Sequence, residues 1–165
     1  MPVKPVPDGY HTVTAYLVVD GAERAIAFYA AAFGAVELFR LPMARKDGGA
    51  CIGHAEVRIG DTILMLSDEW PEMDALGPAR RGGATASFVV YVPDADAAIA
   101  RAVEAGARLH QPAEDQFWGD RMGSVIDPFG HKWTLGTHQE DVAPDELASR
   151  MDAWTKAKNA QAEIP

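Results

Sequence analysis

Two rhythms of apolar residues alternate along this chain. HTVTAYLVV (His11–Val19) is rich in β-branched and aromatic residues and predicts a strand. Immediately after it, Ala22, Ala25, Ile26, Tyr29, Ala32 and Phe33 recur at helical spacing. Asp20 is the expected N-cap, Glu23 its capping-box partner and Gly34 the glycine that stops the helix. Strand patterns follow at Val36–Leu41, Ala50–Ile59 and Thr62–Leu66, with a turn-rich loop at Arg45–Gly49 and a tight Gly60-Asp61 turn.

EWPEMDALGPARRGG (Glu69–Gly83) reads as a linker, and beyond it the order recurs. Thr85–Val92 is strand-like, Asp94 is a cap, Ala95, Ile99, Ala102 and Val103 form a helical stripe, and Gly106 stands where Gly34 stood. A short strand begins at Leu109–Gln111, and a final hairpin runs through Arg121–Ile126 and His131–Leu135. Its turn is Asp127-Pro128-Phe129-Gly130, with Pro128 presetting φ and Gly130 supplying a positive one. Val19 and Ile26 recur as Val92 and Ile99 at a shift of 73, Gly34 as Gly106 at 72, and Gly53 and Gly60 as Gly123 and Gly130 at 70. Steadily drifting shifts are what a duplicated unit with small deletions leaves behind.

The expected fold is therefore α+β: two βαβββ units forming curled half-barrels around a cavity, plus a C-terminal helix. The expected organisation is an extended arm over 1–10, units over 11–68 and 84–138, a linker over 69–83 and a helical tail over 139–165. In the tail, Leu147, Met151 and Trp154 make one narrow apolar stripe, suited to docking on its own or a sister subunit.

Charge and composition narrow the function. A formal net charge of −9 argues against a nucleic-acid partner, since phosphate binding needs a basic surface. The longest apolar runs fall short of a membrane span, and no secretory leader pattern opens the sequence. The single cysteine, Cys51, suits a reducing compartment and sits beside an apolar strand, as an inert buried thiol would. Cytoplasmic placement is the expectation.

Two groups of residues carry candidate chemistry. Trp118, Asp120 and Arg121 crowd the entrance to the last hairpin: either a ligand-contacting corner, or an aromatic packed on the sheet edge beside a surface ion pair. His54 and Glu56 are two apart on a strand and so share a face. They suit pocket lining, acid–base work or metal ligation, or form a solvated polar pair. His11, Asp68 and His138 are further candidate donors. No phosphate-binding glycine loop or nucleophile elbow is present.

The Phe28-Tyr29 pair, the Asp127-Pro128-x-Gly130 turn and the two βαβββ units resemble the vicinal oxygen chelate superfamily. That superfamily includes glyoxalases, bleomycin-resistance proteins and dioxygenases. The stretches Tyr16–Ala35, His54–Asp68 and Trp118–Trp133 are similar to its PhnB-like branch, and the likeness covers about residues 10–138. The resemblance implies metal ligands at positions occupied here by Val13, Ala86 or Ser87, Leu64 and Thr134, none of which is a His, Glu or Asp. No metal or other cofactor is therefore expected, with a divalent metal at non-standard positions as the alternative.

The leading expectation is a homodimer that binds, and in the manner of bleomycin-resistance members sequesters, an unidentified small molecule without metal. Arg121 would grip the polar end of the ligand, Trp118 would cover its flat face, and His54, Glu56, Asp120 and Thr134 would complete the walls. The alternative is an enzyme, a metal-dependent lyase or isomerase or a metal-free acid–base catalyst built on His54 and Glu56. A third reading has the pocket degenerate and the surface functional.

Overall fold

The structure, a computed structural model, describes residues 3–45 and 48–162. Lys46 and Asp47 in the expected 45–49 loop lie outside the described residues, as do Met1 and Pro2 of the arm and Glu163 to Pro165 of the tail. The first unit contains β1 (Tyr16–Val19), α1 (Ala22–Phe33), β2 (Val36–Ala44), β3 (Ala50–Ile59) and β4 (Thr62–Asp68). A short α2 (Pro78–Arg81) intervenes. The second unit contains β5 (Ser87–Tyr91), α3 (Ala95–Glu104), β6 (Arg108–Asp115), β7 (Asp120–Ile126) and β8 (Lys132–His138), and α4 (Pro144–Ala162) follows.

Each unit builds its own four-stranded sheet, in the orders β1-β4-β3-β2 and β5-β8-β7-β6. The helix crossover makes β1 parallel to β4 and β5 parallel to β8, and the hairpins make the other pairings antiparallel. Two βαβββ units with open mixed sheets are present, and neither sheet closes into a barrel.

Strand alternation sends one set of side chains toward the helices. Leu17, Val19, Ala55, Val57, Leu64 and Leu66 do so in the first sheet, and Val125, Trp133 and Leu135 in the second. They share a single core with Ala25, Tyr29 and Ala32 of α1 and Ala98, Ile99 and Ala102 of α3. Trp133 lies against Phe33 and Phe88, each with ring centroids 4.7 Å away. At Gly123 a Cβ would come within 2.6 Å of Ile99 Cδ1 and 2.7 Å of the Ala113 nitrogen, so α3 and β6 close over a position only glycine fills without displacement.

The Asp127 turn joins the two units. Its Oδ1 accepts the Phe129 and His131 amides, and its Oδ2 accepts the Tyr29 hydroxyl and the Trp133 indole N–H, all at 2.9 Å. Burial, then the charge and hydrogen bond of Asp127, hold the Tyr29 hydroxyl well above the ordinary phenol range. Tyr29 thus stays a protonated donor from the first unit to an acceptor in the second. Gly130 turns the corner with φ 92°.

Several local expectations are corrected. The first strand begins at Tyr16 rather than His11, because the chain leaves the sheet there and crosses its face, with Tyr10 reaching Glu56. Helix α1 is not capped by Asp20: Gly21 is the N-cap, without a side-chain bond of its own. Asp68 at the end of β4 accepts the Gly21 and Ala22 amides at 3.0 and 2.7 Å instead, and also that of Ile52. Helix α3 does use its local cap, the Asp94 side chain accepting from the Ala97 amide. Strand β6 reaches Asp115, well past Gln111. Residues 69–83 are folded: Trp70 and Ala75 form a β-bridge, and the buried Glu69 carboxylate accepts the Gly77 amide at 2.8 Å. Trp154 of α4 docks on Phe117, with ring centroids 5.8 Å apart.

Candidate functional site

The first sheet turns the other face away from α1. Register places Tyr16 opposite Met65, Met65 opposite Glu56, Glu56 opposite Phe39 and His54 opposite Leu41. Glu56, only 4% exposed, accepts the Tyr10 hydroxyl on Oε2. Its Oε1 lies 3.3 Å from His54 Nε2, and His54 Nδ1 lies 3.2 Å from the Tyr16 hydroxyl. With a ring proton on Nε2, His54 donates to Glu56 Oε1 and accepts from the Tyr16 hydroxyl on Nδ1. The result is a continuous line, Tyr16 to His54 to Glu56, closed at the far end by Tyr10. The Tyr16 and Phe39 rings flank the imidazole with centroids 5.6 Å away. Tyr16, Phe39 and Leu41 are exposed, so apolar surface frames the polar line.

The second sheet carries a comparable group. Val89, Thr134, Ser124 and Gln111 stand in one row, and Tyr91, Gly136 and Met122 in another. Asp120, also 4% exposed, accepts Tyr91 and Trp118 on Oδ2, at 2.9 and 3.0 Å, and meets His138 Nδ1 at 2.7 Å on Oδ1. Burial acts to raise its pKa, but the bonds from His138, Tyr91 and Trp118 outweigh it, and the carboxylate titrates below its ordinary range. His138 is raised in turn, chiefly by the hydrogen bond to Asp120 and then by Asp141, 3.0 Å from Nε2.

The expected site residues are thereby divided. His54 and Glu56 come together on the first sheet; Trp118 and Asp120 bond to each other on the second, where Thr134 shares the open face. Among the described residues no hydrogen bond joins the two groups. Arg121 is placed elsewhere. As the neighbour of Asp120 on β7 it points to the opposite face, where it pairs with Asp96 of α3 at 2.6 Å and Asp115 at 2.9 Å. Tyr10, Tyr16 and Tyr91, which bond to Glu56, His54 and Asp120, are not among the candidates drawn from the sequence. Strand parity marks Tyr91 with Val89, but nothing local in the sequence marks Tyr10 as a partner of Glu56.

The donor set does not suit a divalent metal, which needs about three protein ligands of the right type. Among the described residues no three His, Cys, Asp or Glu side chains cluster for that purpose. Val13 lies before β1, fully outside the sheet, and Thr134 stands between Val89 and Ser124. A separate cleft of about 720 Å³ opens between the β3–β4 turn and the free edge of β5, floored by Phe33 and Trp133. It borders the shared core through Phe33, Leu64 and Trp133 and does not include His54 or Glu56.

Comparison with known proteins gives a consistent picture. The model of the glyoxalase/bleomycin resistance protein/dioxygenase superfamily matches residues 10–135. An uncharacterized protein of Mycobacterium bovis is 43% identical over 141 residues, covering 84% of this chain and 90% of that protein. The crystal structure of TioX from Micromonospora sp. ML1 superposes with a TM-score of 0.58 at 29% identity, covering 78% of this chain and 98% of that one. A PhnB protein from Bacillus cereus, at 18% identity and a TM-score of 0.56, covers 77% of this chain and 99% of its own and shares the fold.

Proposed function

Because the chain belongs to the glyoxalase/bleomycin resistance protein/dioxygenase superfamily, we propose that it binds and sequesters a small organic molecule without the metal that superfamily enzymes use. The observation that carries this reading is the open face of the first sheet. A buried carboxylate, an imidazole and the phenols of Tyr10 and Tyr16 sit beside exposed Phe39 and Leu41, the mixture of a few convergent polar groups and apolar surface that ligand sites have. The open face of the second sheet, with exposed Val89 and Tyr91 around Asp120, offers a complementary wall.

Both faces are incompletely covered within one chain, which supports a homodimer in which a sister copy closes the site. Placement in the cytoplasm suits the single thiol and the acidic, polar surface. The test is direct. Protein purified without chelators should carry no stoichiometric metal, and a thermal-shift screen of small aromatic compounds should give hits that Phe39→Ala and Leu41→Ala weaken. Stoichiometric metal that disappears in His54→Ala would overturn the reading.

The line from Tyr16 through His54 to Glu56 supports a second reading, a metal-free acid–base catalyst. Glu56 orients the imidazole, His54 Nδ1 takes or returns the Tyr16 proton, and the phenol faces the substrate. Turnover abolished by Tyr16→Phe with binding retained would favour it over sequestration.

A further inference from the structure

The arm over residues 3–14 crosses the open face of the first sheet, and the chain joins the sheet at Ala15, whose carbonyl accepts the Met65 amide at 3.0 Å. Its own bonds are internal: Lys4 to Asp8, the Tyr10 amide to the Pro7 carbonyl, and Thr14 Oγ1 to the His11 carbonyl. Among the described residues, one side-chain hydrogen bond ties residues 3–10 to the sheet, from the Tyr10 hydroxyl to Glu56 Oε2. Beneath the arm a groove of about 370 Å³ remains, bordered by Pro5, Pro7, Tyr10, Thr14 and Met65. Among the described residues, side-chain hydrogen bonding of residues 3–10 to the face therefore runs through a single inserted phenol, with Gly9 close to the buried Ile63 and the groove beside them.

That phenol satisfies a demanding acceptor. A carboxylate 96% buried must be hydrogen-bonded to remain ionised at low cost. Among the described residues, Oε1 has the imidazole and Oε2 has Tyr10 alone. The hydrogen bond to Glu56, with burial and the carboxylate's charge, keeps the Tyr10 hydroxyl above its ordinary range, so it is a protonated donor throughout the physiological pH window. Any molecule that enters by lifting the arm must replace that donor or leave Glu56 Oε2 without it.

Resting on the small-molecule reading above, we propose that Tyr10 is an internal stand-in for the ligand. The site under the arm selects aromatic molecules bearing a hydroxyl donor, whose ring lies among Tyr16, Phe39 and Met65 while the hydroxyl takes over Glu56 Oε2. Aromatic hydrocarbons of the same shape are rejected, because they expel the phenol and return no donor to the carboxylate. The arm is then a strap: latched by its own phenol when the site is empty, and released when a ligand supplies another.

The test uses the full chain and two probes, p-cresol, which is the tyrosine side chain as a free molecule, and toluene. Tyr10→Ala should bind p-cresol at least tenfold more tightly than wild type, with chemical-shift changes at the His54, Glu56 and Met65 amides. Toluene should bind that variant at least tenfold more weakly than p-cresol. Equal p-cresol affinity in variant and wild type, or equal affinity for the two probes, overturns the proposal. Tyr10→Phe provides an independent measurement, because it deletes one oxygen and keeps the ring. Nitrogen relaxation should show residues 3–9 more mobile than in wild type, and unchanged order would mean that the phenol is not the latch. An aromatic ligand held by Phe39 and Leu41 with Tyr10 still on Glu56 would overturn the strap and leave the broader binding reading intact. Failure of every aromatic to bind any variant would remove both.

Discussion

Replacing Asp127 by alanine should be among the most damaging single changes available to this chain. The carboxylate is 4% exposed and receives four hydrogen bonds, two from turn amides and two from the fully buried Tyr29 and Trp133. Truncation leaves the Tyr29 hydroxyl and the Trp133 indole N–H unpaired in the core, at about 1–3 kcal/mol each. The amides of Phe129 and His131 lose their acceptor as well, but lie in a turn where water can reach part of the loss. A total of roughly 3–5 kcal/mol follows, a large part of the ~5–15 kcal/mol that holds a typical domain together. For a chain of this size that corresponds to a drop of about 10–15 °C in Tm.

Two milder variants separate the causes. Tyr29→Phe removes one donor and leaves the carboxylate with three, for a cost of about 1–2 kcal/mol. Asp127→Asn keeps an oxygen for the turn amides but sets an NH2 against the Trp133 N–H, which can only donate, so it should fall between the other two. Urea unfolding followed by tryptophan fluorescence and far-ultraviolet circular dichroism measures all three. If Asp127→Ala unfolds within about 0.5 kcal/mol of wild type, an ordinary surface effect, the turn does not hold the two units together.

Arg121→Ala should lower stability by less than about 1 kcal/mol, because its pairs with Asp96 and Asp115 are exposed and screened, and it should leave ligand affinity unchanged; a large loss of affinity in calorimetry would restore Arg121 to the site. His138 titrates above its ordinary value in the fold, so its contribution is complete below about pH 6.5 and declines as pH rises through the raised value. The urea midpoint should therefore fall between about pH 6 and pH 9 more steeply in wild type than in His138→Gln, and parallel profiles would count against the Asp120–His138–Asp141 linkage. Trp154→Ala should free α4 from Phe117, read as faster limited proteolysis after residue 140 with the remainder intact. Sedimentation should show a dimer at micromolar concentration, and a monomer independent of loading would refute the shared site.

The fold was legible because its signals are local. Gly34, Gly106 and the Asp127-Pro128-x-Gly130 turn mark places where backbone geometry restricts residue choice, and the drifting repeat linked them into units. The α1 cap was misread for the opposite reason: Asp20 looks like a cap, but the carboxylate that performs the task, Asp68, lies a whole sheet away in sequence. The site suffered the same way. His54 and Glu56 share parity on one strand and do lie in contact, whereas the tyrosine bonded to Glu56 comes from an arm whose path no periodicity records. Asp120 and Arg121 were grouped because they are neighbours in sequence, although adjacency on a strand puts them on opposite faces.

The Tyr29–Asp127 bond also sets an order of events at the ribosome. Its partners are 98 residues apart, so α1 emerges and can pack on its own sheet long before the acceptor for Tyr29 exists. Until the last hairpin is made, the first unit carries a phenol without its Asp127 acceptor and the uncovered rings of Phe28 and Phe33 on the surface that Phe129 and Trp133 will later occupy. An N-terminal half released early, by a stalled or truncated message, is therefore a sticky intermediate rather than a small working domain. Closure of a single turn in the second unit joins the two halves into one core.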